Sequence, residues 1–308
     1  MKKIKRPTLV SLTIGLIILL IKSRFAQDNI EVPLKIGKYR LVHTIAKENL
    51  YKHYALGVYL YKNKKVFIKT WSGKIKDYSY YDLLNEYFMN KILSKKLKEC
   101  CAKIRIPKVL DVVDQKQTLS LVFEYVEGKN LAGYPLSKQK EAMISVMQCL
   151  KRLTSLLSQE EKNHFPKRNI MFYLLSLPFL MFLTILSNPK SAFVILKGYI
   201  VFLFGIKEAL KMNLTVSHRD ITLHNIMFSG DKIFLLDYGR VALTLDAYDL
   251  TYVLINPRMK QFAQTLKEKF NYYPSKFLRN YILIHNAHSH GMRKTRNLYM
   301  RGLIKQYG

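Results

Sequence analysis

Cysteine is scarce in this chain. Three of its 308 residues are cysteine, namely the adjacent Cys100 and Cys101 and the distant Cys149, and they form no CxxC pair. No His-rich partner spacing accompanies them, so the pattern gives no indication of a zinc site. We interpret the three as incidental thiols rather than a redox pair, which favours a reducing compartment such as the cytoplasm.

Acidic residues are also few, with 21 Asp and Glu against 51 Lys and Arg, which leaves a formal net charge of +30. A surface this basic attracts anions, such as nucleotides, nucleic acid or acidic lipid headgroups. Basic residues beside apolar segments favour a membrane over nucleic acid, because an acidic leaflet attracts each nearby Lys or Arg by about 1 kcal/mol. The hydrophobic content of 49% excludes a disordered chain.

Residues 1–30 predict a membrane anchor. Residues 8–21 are apolar and uncharged, and basic runs flank them at 2–6 and 22–24. A cleaved signal peptide is the rival interpretation, but charged residues follow the apolar core at once and no small-residue cleavage pattern is present. The stretch is short for a transmembrane helix, so it either spans the bilayer or lies in the interface.

A second apolar region covers residues 170–206, with Pro178 inside it and a turn at 188–191. One interpretation is a membrane hairpin. The alternative makes residues 192–212 a buried core helix, which Lys197 and Lys207 suit better than a lipid-facing position. Residues 170–187 are apolar all round, and such a helix requires either lipid or complete burial.

The remaining pattern predicts two lobes. Residues 39–45, 54–61, 65–71, 109–113 and 118–125 are rich in β-formers and predict a small five-stranded antiparallel sheet. Helical spacing over 78–99 predicts one helix packed on that sheet, which completes an N-lobe at 36–126. A polar linker follows, and Ser137 is the expected cap of the next helix. Residues 127–308 are then expected to form a mainly helical C-lobe, so the fold class is α+β.

A short hairpin carries the candidate chemistry. Residues 226–228 and 232–236 flank a turn at 229–231, so Asn225 and Asp237 are expected to lie side by side at the open end. An amide oxygen and a carboxylate are the hard ligands that Mg²⁺ prefers. Asp220 lies just upstream, where it can accept a proton from a hydroxyl group.

These motifs resemble those of protein kinases. The segment HRDITLHN at 218–225 is similar to the kinase catalytic loop, and LLDYGR at 235–240 is similar to the metal-binding motif, with Tyr238 in place of Phe. VFIK at 66–69 resembles the strand that carries the phosphate-binding lysine, and LVFEYV at 121–126 resembles the hinge beside the adenine. The resemblance covers about residues 39–254 and implies the two-lobed protein-kinase-like fold.

The resemblance also implies a set of roles. Lys69 steadies the phosphates of ATP, Glu86 holds Lys69, and Asp220 accepts the hydroxyl proton. The implied magnesium ligands are Asn225 and Asp237, and the implied nucleotide contacts at the hinge are Glu124 and Val126.

The chain departs from the protein-kinase pattern at two points, which limits the roles that the resemblance implies. The loop at 45–50 lacks the GxGxxG glycines, and Lys47 is the candidate that compensates electrostatically, with a solvated loop lysine as the alternative. No long activation segment or APE motif follows Asp237. In this short segment the chain resembles aminoglycoside phosphotransferases and lipopolysaccharide-core sugar kinases. The resemblance implies that Asp249 braces the catalytic loop.

The sequence therefore predicts an ATP- and Mg²⁺-dependent kinase that acts at an anionic membrane surface on a sugar or lipid-linked hydroxyl. Nucleic acid is not an expected partner. Because this chemistry uses ATP, we expect the catalytic domain on the cytoplasmic side of the membrane. The alternatives are a protein Ser/Thr kinase with a shortened activation segment, whose acceptor is a protein hydroxyl, and a nucleotide-binding pseudokinase scaffold.

Overall fold

The computed structural model of the chain describes residues 32–45, 54–115, 117–187, 189–289 and 293–307. They form two compact units, described separately below: unit 1 contains residues 1–131 and 225–241, and unit 2 contains residues 132–224 and 242–308. The predicted anchor at 8–21 and the loop residue Lys47 lie outside the described residues. Unit 1 is built on a β-sheet and unit 2 is mainly helical, which confirms the α+β class.

The main sheet of unit 1 has six strands in the order β1-β2-β3-β4-β7-β6, with all neighbours antiparallel. The strands are β1 (Lys35–Ile36), β2 (Tyr39–Thr44), β3 (Tyr54–Tyr61), β4 (Lys64–Ser72), β6 (Val109–Gln115) and β7 (Thr118–Glu124). The prediction of five strands missed β1, because two residues are too short to show an alternating pattern. Gly37, at φ +53°, forms the turn that returns β1 onto β2.

Helix α1 (Tyr78–Cys100) agrees with the predicted helix to within one residue. Its N-terminus is fixed by Asp77, whose carboxylate accepts hydrogen bonds from Tyr80 N at 3.2 Å and from Trp71 Nε1 at 2.9 Å. Since Trp71 belongs to β4, this cap also ties the helix to the sheet. The buried side of α1 is partly polar and includes Asn85 and Glu86.

A second, four-stranded sheet completes unit 1 in the order β5-β12-β11-β8. It contains the predicted hairpin, β11 (Ile226–Ser229) and β12 (Lys232–Leu235), between β5 (Ile104–Arg105) and β8 (Lys129–Asn130). Gly128, beside β8, approaches the hairpin so closely that a Cβ there would lie 1.9 Å from Phe228 O. The hairpin is therefore joined by its backbone to β5 and β8, which lie about 100 residues before it in the chain.

Unit 2 contains nine helices within the described residues. They are α2 (Leu136–Leu156), α3 (Gln159–Asn163), α4 (Ile170–Ser187), α5 (Ala192–Phe204), α6 (Ile206–Ala209), α7 (Tyr248–Ile255), α8 (Ala263–Phe270), α9 (Lys276–Ser289) and α10 (Arg293–Tyr307). The prediction that Ser137 caps α2 was wrong: Pro135, with φ −56°, is the N-cap, so Ser137 falls inside the first turn. The predicted continuous helix at 192–212 is interrupted at Gly205, where a Cβ would lie 2.5 Å from Phe277 N.

A three-stranded sheet in unit 2 was not predicted. Its strands are β9 (Lys167–Arg168), β10 (Leu214–Ser217) and β13 (Ala242–Leu245), in the order β10-β13-β9. The strands have four residues or fewer and pair across long sequence separations, so neither their length nor a local turn signal revealed them. The sheet matters for the site because β10 leads directly into His218.

Helices α4 and α5 pack their inner sides against α9. The Tyr173 ring lies 4.5 Å from that of Tyr281, and Phe202 stacks on Phe277 at 4.2 Å between centroids. The buried-helix interpretation of residues 192–212 therefore holds only for the inner side of α5, where Ile195, Gly198 and Phe202 are buried. The outer sides are different, because they leave many large apolar side chains in contact with solvent.

We call these exposed outer side chains of α4 and α5 the apolar face. They are Met171, Leu175, Phe179, Phe182, Leu186, Phe193, Leu196, Ile200, Leu203 and Phe204, with exposures from 38% to 76%. Within the described ranges, none of the helices has both the length and the apolarity needed to cross a membrane. Residues 170–187 are thus half-buried rather than completely buried, and their outer side requires another explanation.

Candidate active site

Lys69 is the centre of the charged cluster in unit 1. Its ammonium Nζ lies 2.8 Å from Glu86 Oε2 and 2.8 Å from Asp237 Oδ1, and the residue is only 5% exposed. Burial alone would lower the pKa of this ammonium, but the two carboxylates more than offset that effect and raise the pKa above its usual value. Lys69 is therefore a fixed positive charge at neutral pH.

The strand register explains how Lys69 reaches this position. In β4 it pairs with Leu56 of β3 and Leu121 of β7, so it lies in the middle of the main sheet. The ammonium also lies 4.4 Å from the centroid of the Tyr54 ring. Tyr54 in turn donates its hydroxyl to Ser79 O at 2.6 Å, which links β3 to α1. The lysine is thus held between the sheet and the helix that carries Glu86.

The hairpin β11–β12 positions the predicted magnesium ligands. Leu236 N donates to Asn225 O at 2.8 Å, so the two residues flanking the hairpin are joined through the backbone at its open end. Asp237 adopts a left-handed conformation with φ +55° and ψ +50°, which is uncommon for a residue other than glycine. Contacts with the surrounding structure must therefore hold the backbone of Asp237 in this unfavourable conformation.

Polar residues of α1 hold the turn that follows Asp237. Asn85 Nδ2 donates to Gly239 O at 2.7 Å and to Val241 O at 3.1 Å. Gly239 has no room for a side chain, because a Cβ would lie 2.8 Å from Asp82 O. Asn85 was not among the predicted site residues, although it directly precedes Glu86 on the partly polar, buried side of α1.

Tyr238 replaces the phenylalanine usual in kinases, and its hydroxyl has partners in the interior. Asn90 Nδ2 donates to it, and the hydroxyl donates to Pro107 O at 3.3 Å. Asn90 also donates to Pro107 O at 2.8 Å and accepts from Val109 N at 3.0 Å. Burial, and then the negative charge of Glu86, raises the pKa of Tyr238 well above its usual value, so the hydroxyl remains a donor.

The catalytic-loop motif lies in unit 2, where Asp249 organises its backbone. The two carboxylate oxygens of Asp249 accept hydrogen bonds from His218 N at 2.6 Å and Arg219 N at 2.8 Å. Burial raises the pKa of Asp249, although His218 and the backbone hydrogen bonds act in the opposite direction. Asp220 follows directly and is partly exposed. The bracing contact that the kinase resemblance implied for Asp249 is thus present.

The predicted hinge residues occupy the end of β7. Glu124 is the last residue of that strand and pairs with Val66 of β4. Its carboxylate Oε1 accepts a hydrogen bond from Lys108 N at 3.1 Å. Val126 is partly buried two residues further on. Unit 1 therefore brings Lys69 into direct contact with both Glu86 and Asp237. Glu124 is the last residue of the interior strand β7, and Val126 follows it.

Comparison with known proteins agrees with this geometry. The sequence model of the APH family, described as the phosphotransferase enzyme family, matches residues 82–278. No curated protein matches the chain.

Solved structures of aminoglycoside phosphotransferases share the fold. One is a thermostable mutant of APH(4)-Ia in a ternary complex with AMP-PNP and hygromycin B, with a TM-score of 0.61, 11% identity and coverage of 89% of this chain and 93% of that one. Another is ADP-bound APH(2'')-Ib, with a TM-score of 0.53, 12% identity and coverage of 94% and 95%. The predicted two-lobed kinase-like fold is confirmed.

Proposed function

Because the chain belongs to the phosphotransferase enzyme family, we propose that it transfers the γ-phosphoryl group of ATP to a hydroxyl group of a sugar or a lipid-linked acceptor at a membrane surface. The observation that carries the phosphotransfer is the contact of Lys69 with both Glu86 and Asp237. Phosphoryl transfer depends mainly on positioning and charge stabilisation, and a buried, oriented cation supplies both. Lys69 binds the phosphates, and Glu86 keeps its side chain in place.

The donor set suits magnesium. Asn225 supplies an amide oxygen and Asp237 a carboxylate, both hard ligands, and the Leu236–Asn225 hydrogen bond keeps the two residues adjacent in the hairpin. When bound, magnesium neutralises negative charge on the phosphates. The protein's own contribution is to hold Asp237 in its left-handed backbone conformation, which Asn85 supports from α1.

Asp220 is the proposed proton acceptor. During transfer the acceptor oxygen forms a bond to the γ-phosphorus, the bond from that phosphorus to the leaving oxygen of ADP breaks, and the hydroxyl proton passes to the Asp220 carboxylate. Asp249 supports this role by fixing the backbone of the two preceding residues. At the hinge, Glu124 and Val126 are the proposed adenine neighbours, and Lys47 is a proposed phosphate contact.

A small acceptor fits the chain better than a peptide. Strand β13 ends at Leu245 and α7 begins at Tyr248, so only two residues separate these elements. A regulated protein kinase uses a longer segment here to hold its peptide substrate. The hygromycin B of the APH(4)-Ia complex is an example of a hydroxyl-bearing small acceptor in a structurally similar protein.

The apolar face supports action at a membrane. Phe193 and Phe204 of this face are 65% and 76% exposed, and exposed apolar patches of this extent are typical of interaction sites. The exposed Lys190 and Lys207 flank α5 in the sequence, and the chain carries a net charge of +30. Apolar side chains with basic neighbours suit the interface of an anionic lipid bilayer. We propose membrane association with both units on the cytoplasmic side, where ATP is available.

The phosphotransfer is tested with radiolabelled ATP and magnesium, using total lipid, polysaccharide and protein as separate acceptor fractions. Wild type should label the lipid or polysaccharide fraction, and Asp237→Asn should abolish the labelling. Asp231→Asn is the matched control, since Asp231 is exposed in the turn of the same hairpin. Label confined to protein would support the protein-kinase alternative, and ATP binding without any transfer would support the pseudokinase.

The membrane proposal is tested by flotation with vesicles of phosphatidylcholine, with and without phosphatidylserine. Wild type should float with the anionic vesicles, and replacing Phe182 and Phe193 by Ser should release it. A control with Leu34 and Leu110 of unit 1 replaced by Ser removes comparably exposed apolar side chains elsewhere. Equal flotation of both variants would exclude the apolar face as the lipid contact.

A further inference from the structure

A cavity of about 310 Å³ lies in unit 1 between the end of α1, the segment after β5, and strands β7 and β12. Lys69, Glu86 and Asp237 do not line it, and of the predicted site residues only Glu124 does. Its size is at the lower end of ligand pockets, which run from about 300 to 1,000 Å³. The cavity therefore has room for a small molecule and raises the question of which chemistry it accepts.

The walls of this cavity are strongly basic. Four of its lining residues are cationic, namely Lys98, Arg105, Lys108 and Lys232, against the single carboxylate of Glu124. That carboxylate is already held at one wall, because its Oε1 accepts the hydrogen bond from Lys108 N. The balance of charge in the cavity favours an anion, and the number of cations favours one with more than a single negative charge.

Arg105 is oriented by its own backbone neighbourhood. Its Nη1 donates to Cys101 O at 2.9 Å and to Ile104 O at 2.7 Å, which fixes the plane of the guanidinium group. Both hydrogen bonds use Nη1, so Nε and Nη2 carry the donors that a bound anion would use. A fixed guanidinium matches the paired oxygens of a phosphate group better than a mobile ammonium does.

Ser94 supplies a second and independent observation. Its hydroxyl is buried and has no hydrogen-bond partner among the described residues, although the residue lines the cavity. A buried hydroxyl is costly without a partner, and a ligand oxygen would provide one. Ile106 and Phe234 add apolar walls beside it, which suit a carbon skeleton.

From these features we propose that the cavity is a binding site for a phosphate group, carried on a small organic molecule or present as free phosphate. Arg105 and Lys98 bind the phosphate oxygens together with the Ser94 hydroxyl, while Ile106 and Phe234 contact an attached carbon skeleton. This site is additional to the phosphotransfer chemistry and does not depend on it. Its occupant would bridge β7, which ends at the hinge residue Glu124, and β12, which leads to Asp237.

The test is thermal unfolding of the full chain in chloride, sulfate, inorganic phosphate and glycerol 3-phosphate at matched ionic strength. We expect a saturable rise of Tm with the phosphate compounds beyond the rise with chloride. Lys98→Gln should weaken the apparent Kd by about tenfold, the loss expected for one charge-assisted hydrogen bond. Lys95→Gln is the matched control, because Lys95 is exposed on the same helix but does not line the cavity.

Each outcome of this test decides the proposal. Tighter binding of glycerol 3-phosphate than of phosphate identifies an organic phosphate as the occupant, and equal or weaker binding identifies free phosphate. A response to sulfate as strong as the response to phosphate overturns the assignment to phosphate, since the cavity would then bind any divalent oxyanion. A rise of Tm that is identical in chloride at the same ionic strength overturns the proposal, since it reflects screening alone. So does a phosphate response that Lys69→Met removes while Lys98→Gln leaves it unchanged, because the binding would then belong to the site around Lys69.

Discussion

Asn85 offers a direct test of how α1 controls the metal-binding turn. Its amide nitrogen donates to two backbone carbonyls, those of Gly239 and Val241, at 2.7 and 3.1 Å, and the side chain is buried. Asn85→Ala removes both donors. A buried carbonyl that loses its partner costs about 1–3 kcal/mol. Two carbonyls cost about 2–6 kcal/mol, from which the better helix propensity of Ala subtracts about 0.6 kcal/mol. We expect a net loss of about 1–5 kcal/mol in the free energy of unfolding.

The same substitution should also affect catalysis. Asp237 lies two residues before Gly239, so a turn that is no longer held by Asn85 leaves the carboxylate less accurately positioned. Because a displacement of about 1 Å can cost about a hundredfold in rate, we expect kcat to fall by about ten- to a hundredfold, with a smaller change in KM for ATP.

The assays are urea unfolding for stability and transfer of labelled phosphate for kcat. Asn85→Asp has the same size but cannot donate to a carbonyl, so it should be at least as damaging as Ala. Lys91→Ala, at an exposed position of the same helix, is the control and should change stability by less than about 0.5 kcal/mol. If Asn85→Ala loses under about 1 kcal/mol and keeps kcat within about twofold, the proposed control by α1 is refuted.

Two further predictions concern packing. Tyr238→Phe removes the hydroxyl that Asn90 contacts and should lower the free energy of unfolding, measured in urea, by about 0.5–1.5 kcal/mol. Transfer activity should stay within a few-fold of wild type. A loss of all activity would contradict a purely structural role of this hydroxyl. Gly205→Ala should lower Tm through a cost of about 1–3 kcal/mol or more, because the new Cβ meets Phe277 N at 2.5 Å. Gly133→Ala, where the space is open, should leave Tm unchanged, and equal effects of the two substitutions would contradict the steric explanation.

The long elements were predictable because each has a strong local signal. The helix at 78–99 followed from its apolar spacing and the hairpin around 229–231 from its turn residues, and the structure has both. The contact of Lys69 with Glu86 followed from the kinase resemblance rather than from a pattern in the chain. The contact of Asp237 with Lys69 was not predicted.

Other features depend on contacts that a single sequence does not reveal. Strands of two residues, such as β1 and β5, exist only because a partner strand is already in place. The break at Gly205 arises from the close approach of α9, which lies more than 60 residues away along the chain. Asn85 and Asn90 interrupt the apolar pattern of α1. Their side chains hydrogen-bond to Gly239 and Tyr238, in the turn after Asp237, and those partners lie about 150 residues away along the chain.

Unit 1 is assembled from two separate stretches of chain, residues 1–131 and 225–241. During synthesis on the ribosome, the first stretch emerges long before the hairpin that completes the four-stranded sheet. Until then, β5 and β8 have no strand to pair with, and the polar side of α1 has no turn to bind. The N-terminal part of unit 1 is therefore completed only after the intervening residues of unit 2 have been translated. A protein shortened to residues 1–131 would keep Glu86 but lack Asp237, the second carboxylate that contacts Lys69.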